Sequence, residues 1–117
     1  MPEWMIKGKA RERYLDACKN ADINHIHDNP VLMNMFNNPE QYEAVLNRLV
    51  DLFGPLDGMH IIEIGGGYGG QAKAICDRFK VRTYTIIDLP EVCELQRRFL
   101  HGYNIRITSG IEWHCYT

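Results

Sequence analysis

The chain has 117 residues, enough for one small domain with a single core. Its 13 basic and 15 acidic residues leave a net charge of −2, which excludes the basic excess that binding to a phosphate backbone requires. With 45% hydrophobic and 24% charged residues it reads as an ordinary soluble protein, and no apolar run approaches the ~20 residues of a membrane span.

The first 22 residues are too charged for a secretory signal. Cys18, Cys76, Cys93 and Cys115 lie far apart with no C-x-x-C pair, the pattern of reduced thiols rather than a disulfide frame or a zinc site. A cytoplasmic location is therefore expected. Residues 9–20 carry Tyr14, Leu15 and Cys18 at helical spacing and predict a helix. A polar loop follows to Pro30, then a short apolar helix "VLMNMF" at 31–36 that reads as core. Asn38 and Pro39 open the next helix, whose Tyr42, Val45, Leu46, Leu49 and Phe53 form one apolar stripe; Gly54-Pro55 ends it. Residues 1–38 are thus an N-terminal helical segment.

Residues 59–64 are short, β-branched and mostly apolar, as in a strand buried on both faces of a parallel sheet. A helix over 71–80, a strand over 81–88, a helix over 89–102 and a strand over 103–108 complete a βαβαβ unit with right-handed crossovers. The predicted class is α/β, a partial Rossmann-like parallel sheet of about three strands preceded by helices. Three strands make half of a doubly wound sheet, so residues 39–117 are expected to be the N-terminal half of a longer domain.

Between the first strand and its helix stands "GGGYGG", residues 65–70. Ligands of open α/β sheets bind at such a strand-to-helix loop, and glycine lets them approach the backbone. Gly65, Gly66, Gly67, Gly69 and Gly70 are read as the floor of a cofactor site. The run satisfies the dinucleotide fingerprint G-x-G-x-x-G and also acid-x-G-x-G-x-G, with Glu63 as the acid. A pyrophosphate beside that carboxylate is unfavourable. The cationic ammonium and sulfonium of S-adenosylmethionine are favoured by it. The competing reading of Glu63 is a strand acid paired with a lysine or bonded to loop amides. Asp88 ends the second strand, where a carboxylate can accept both ribose hydroxyls. It also reads as a helix N-cap, with Glu91 three residues on. Leu89 is expected to pack against the adenine, and Tyr68 either covers the ligand or fills the loop.

Glu63 with Gly65, Gly66, Gly67, Tyr68 and Gly69, followed at strand spacing by Asp88, resembles the first motif and ribose acid of class I S-adenosylmethionine-dependent methyltransferases. "EIGGGYGG" with "YTIIDLPEV" is most similar to the sugar O-methyltransferases, and its G-G-G-x-G and D-L-P pairing to the plant phenolic type. The resemblance covers about residues 45–100. It implies the seven-stranded family fold, S-adenosylmethionine as cofactor, and methyl transfer to a hydroxyl of a small molecule, a sugar. It places the cofactor role on Glu63, Gly65, Gly67, Gly69 and Asp88 and leaves the catalytic base unassigned. Two rival readings are an NAD(P)-dependent oxidoreductase domain and a non-catalytic cofactor-binding fragment. Nucleic-acid and membrane partners are not expected. His25 and His27, two apart in a loop, read as solvated rather than metal-bound, and His60 as structural. Arg97, Arg98 and Arg106 read as the wet face of a helix, and His114 and Cys115 as surface.

Overall fold

A computed structural model describes residues 8–33 and 38–110; residues 34–36 of the apolar segment, with His114 and Cys115, lie outside the described residues. The elements run α1 (Lys9–Asn20), a 3-10 helix (Ile23–Asp28), α2 (Pro39–Phe53), β1 (His60–Ile64), α3 (Gly70–Arg78), β2 (Thr83–Ile87), α4 (Pro90–Phe99) and β3 (Arg106–Thr108). Among the described residues no helix is long and apolar enough to cross a membrane.

The helix starts follow local chemistry. Asn38 caps α2 by accepting from the Glu40 amide at 3.0 Å, with Pro39 in the first turn. Gly54 closes α2 at a φ of +77°. The loop expected before Pro30 is instead a 3-10 helix, because Asp22 accepts from the Asn24 amide at 3.0 Å and starts a turn.

The three strands are parallel in the order β1-β2-β3, with Ile64 beside Ile87 and Ile87 beside Thr108. Both crossovers step in the same direction across the sheet. With one handedness, both helices fall on one face. The core sits there, built from Tyr84 and Ile86 of β2, Ile75 of α3, and Val92 and Leu95 of α4. α1 packs on α4. The expectation that β1 is buried on both faces is corrected: Ile62 and Ile64 are 68% and 60% exposed. Ile61 and Glu63 face the helices, and among the described residues nothing covers the other side. The α2 stripe is narrower than expected as well, with Tyr42 and Leu46 buried and Val45 and Phe53 exposed.

Arg98 departs from its reading as a wet-face residue. It is half-buried, and its guanidinium donates to the carbonyls of Ala21 at 2.9 Å and Cys18 at 2.7 Å. Those carbonyls have no partner within α1, so Arg98 caps the C-terminus of α1 from α4. His60 bonds Thr83 across the two strands at 2.8 Å between Nδ1 and Oγ1.

Candidate functional site

The site forms where β1 and β2 end. The chain turns at Gly65, whose φ of +75° suits glycine, while its amide still donates to the Ile87 carbonyl at 2.9 Å. A Cβ at Gly65 would meet nothing within 4 Å, so this residue fronts open space. Gly66 is different. A methyl there would lie 2.9 Å from Ile86 Cγ2 and 3.3 Å from both Gln96 Nε2 and Glu63 Oε1. At Gly69 the same space is taken by Leu100, and at Gly70 by Tyr68 and Tyr42. The glycines of the run therefore differ in what faces them. Gly65 is open, whereas Gly66, Gly69 and Gly70 are glycines so that protein can pack against the loop.

Glu63 projects to the helical face and lies under the loop, beside Gly66. Its Oε1 accepts from the Tyr84 hydroxyl at 2.8 Å. Among the described residues its hydrogen-bond partner is Tyr84, not a lysine or a loop amide. Burial pushes the Glu63 carboxyl up, the Tyr84 hydroxyl draws it down, and the Asp88 carboxylate adds to the rise. The Tyr84 phenol is pushed up in turn by burial and by Glu63.

Asp88 is 1% exposed. Its Oδ1 accepts from the Leu89 amide at 2.7 Å and its Oδ2 from Gln96 Nε2 at 3.0 Å. The amides of Gly66 and Gly67 lower its carboxyl as well, and the link from Asp88 to the loop after β1 runs through Gln96. Burial raises its carboxyl, and these donors lower it. The N-cap reading is corrected: α4 is capped at Leu89 with no side-chain bond, because Asp88 stands one residue too early. Leu89, 5% exposed, belongs to the core. Tyr68, 1% exposed, fills the loop's underside instead of covering it, with its ring 5.1 Å from that of Phe99 and 5.9 Å from that of His27.

Sequence reasoning missed Gln96 and Tyr84. Gln96 is fully buried, and its Nε2 donates to the Gly67 carbonyl at 2.8 Å as well as to Asp88. A cleft of about 670 Å³ opens on the far side of Tyr68, between the 3-10 helix, α2 and α3, lined by His25, His27, Tyr42, Lys73 and Asp77. Neither Glu63 nor Asp88 reaches it. His25 lies at its rim, 2.9 Å from Asp22, which raises the imidazole. Among the described residues no group of three or more His, Cys, Asp or Glu is placed to hold a metal ion.

A three-stranded parallel sheet with helices, a glycine turn after its first strand and an acid after its second define a Rossmann-like fold of the class I methyltransferase type. The family model of the O-methyltransferase domain matches residues 3–114, and the chain belongs to that family. The chain is 36% identical over 55 residues to the ribosomal RNA small subunit methyltransferase A of Helicobacter pylori strain HPAG1, 47% of this chain and 20% of that protein. The same enzyme of strain J99 is 35% identical over 60 residues, 51% of this chain and 21% of that protein. The chain thus matches about a fifth of the length of these curated relatives.

Proposed function

We propose that this chain forms the donor-binding part of an S-adenosylmethionine-dependent O-methyltransferase acting on a hydroxyl of a small molecule, a sugar. Family membership supports methyl transfer. The observation that favours this donor is electrostatic. A buried carboxylate, Asp88, and a half-buried one, Glu63, flank the glycine turn, and among the described residues the hydrogen bonds to them come from Tyr84, Leu89 and Gln96, none of them a cation. A buried carboxylate without a cation is unfavourable, and a cationic ligand group offsets that cost. A pyrophosphate would add to it, which argues against the oxidoreductase alternative.

In this reading Glu63 receives the α-ammonium of the methionine part, and the open front of Gly65 admits it to the backbone. Asp88, beside the same turn, receives the ribose hydroxyls. Bound S-adenosylmethionine supplies an electrophilic methyl that an acceptor oxygen attacks in line, losing its proton to a base. These residues hold the donor, and their contribution is orientation. The sugar rests on the likeness of "EIGGGYGG" and "YTIIDLPEV" to the sugar enzymes. A ribosomal RNA acceptor is not carried over from the relatives: a net charge of −2 offers no electrostatic footprint for a phosphate backbone.

A thermal-shift comparison tests the donor. S-adenosylhomocysteine at ~100 times its dissociation constant should stabilise the chain by about 2.7 kcal/mol, and NAD should not. Stabilisation by NAD alone would reverse the assignment.

A further inference from the structure

We propose that Gln96 is a positioning residue of the cofactor site: it holds Asp88 and the glycine loop in one fixed relation, and donor affinity depends on that relation. The inference rests on the S-adenosylmethionine reading of the same site.

Gln96 stands on α4, eight residues beyond Asp88, yet it joins the two loops that leave β1 and β2. Its Nε2 donates both to the Gly67 carbonyl at 2.8 Å and to Asp88 Oδ2 at 3.0 Å. Its Nε2 also borders the space above Gly66, 3.3 Å from where a Cβ would lie, the same distance as Glu63 Oε1. Both of its partners are acceptors. The amide can therefore sit only one way round, with NH₂ toward them. That orientation leaves Oε1 buried with no partner among the described residues.

The orphaned oxygen separates positioning from mere packing. A buried amide with an unmade bond is costlier than an apolar side chain of the same volume, which would fill the space with nothing to satisfy. What the amide adds is a two-pronged donor between a backbone carbonyl and a carboxylate. It fixes the direction in which Asp88 presents its remaining lone pairs, and it keeps the carbonyl of Gly67 turned inward and away from the ligand side. Methionine at this position would keep the volume and release both loops.

The experiment is calorimetric titration of S-adenosylhomocysteine into the 117-residue chain, its Gln96→Met and Asp88→Asn variants, and the double variant. All are held well below their melting temperatures, so that lost stability does not enter the affinity. Gln96→Met should weaken binding at least 10-fold in the Asp88 background and less than 3-fold in the Asp88→Asn background, because Gln96 acts through Asp88. Binding by a folded Gln96→Met chain within 3-fold of wild type, or fully additive losses in the double variant, overturns the proposal and leaves the cofactor reading standing. Absence of binding by the wild-type chain removes that reading and this inference together. Where Gln96→Met does not fold, the wild-type chain decides by nuclear magnetic resonance. The Gln96 side-chain NH₂ signals should shift with S-adenosylhomocysteine along the same isotherm as the Gly67 amide. Unmoved NH₂ signals at saturation overturn the proposal.

Discussion

Replacing Glu63 by glutamine should move stability and binding in opposite directions. Glutamine keeps the shape of the side chain, and its Oε1 can still accept from the Tyr84 hydroxyl, now 2.8 Å from Glu63. It removes a charge whose carboxyl is raised by burial and by the neighbouring Asp88. A carboxyl raised in the folded state contributes stability that is complete below its unfolded value and is lost as pH rises through the folded value. The ionised group therefore weighs against the fold at neutral pH. Glu63→Gln should be more stable than wild type there, and the difference should open above the ordinary glutamate value of about 4.3, grow until pH passes the raised folded value, and then level off. Asp88 is raised in the same sense, chiefly by burial, so it adds its own loss of stability as pH rises in both chains. Binding goes the other way. A hydrogen bond to a charged partner contributes about 1.5–3 kcal/mol, so loss of the ammonium contact should weaken S-adenosylhomocysteine roughly 10- to 100-fold. Urea denaturation from pH 4.5 to 8 and calorimetric titration at pH 7.5 measure the two effects. A variant less stable than wild type at pH 7.5, with an unchanged dissociation constant, would refute the reasoning at both points.

Gly66→Ala should lower stability by about 1–3 kcal/mol in urea denaturation, because its methyl would meet Cγ2 of the fully buried Ile86 at 2.9 Å. An unchanged midpoint would show that Ile86 yields. Arg98→Ala should cost about 1.5–3 kcal/mol by the same measurement, since it uncaps the Ala21 and Cys18 carbonyls of α1. A loss within the range of ordinary surface substitutions, about 0.5 kcal/mol, would mean that solvent replaces the guanidinium. Alkylation of the native chain at pH 8 should reach Cys76 well before Cys18 and Cys93, which are fully buried; burial pushes the Cys18 thiol up to about 12. Peptide mapping that finds Cys18 modified first would contradict the packing of α1 on α4.

The alternation of strands and helices was legible in the sequence because each element has its own period and punctuation. Asn38-Pro39 and Gly54 bracket α2, and a β-branched run before glycines marks β1. The open face of β1 was not legible. Apolar residues at consecutive positions state that a strand can be covered on both sides, not that it is. Glu63 and Asp88 stood out as acids ending apolar runs. Their partners Tyr84 and Gln96 did not, because a tyrosine in a strand and a glutamine in a helix are ordinary. A signal for Gln96 was nevertheless present. Leu89, Val92, Cys93 and Gln96 fall on one helical stripe, and a polar residue in that stripe must find partners in the interior. Arg98 was misread for a related reason: its partners are backbone carbonyls about 80 residues away along the chain, which composition cannot reveal.

The choice between a methyl donor and a dinucleotide turns on the charge that already lies beside the glycine turn. The first turn of α3 carries no side-chain cap, and a helix start of this kind commonly receives phosphate. Here a protein carboxylate, Asp88, lies beside the turn, bonded to the Leu89 amide and to Gln96, and burial already raises it. A pyrophosphate at the turn would bring further negative charge toward it. A ribose would bring hydroxyl donors instead, which a carboxylate can accept. In the proposed reading the ammonium would meet Glu63, whose hydrogen-bond partner among the described residues is the Tyr84 hydroxyl. In that reading each half of an adenosyl amino acid would meet a carboxylate, whereas a dinucleotide would bring a further anion to a place that already has two.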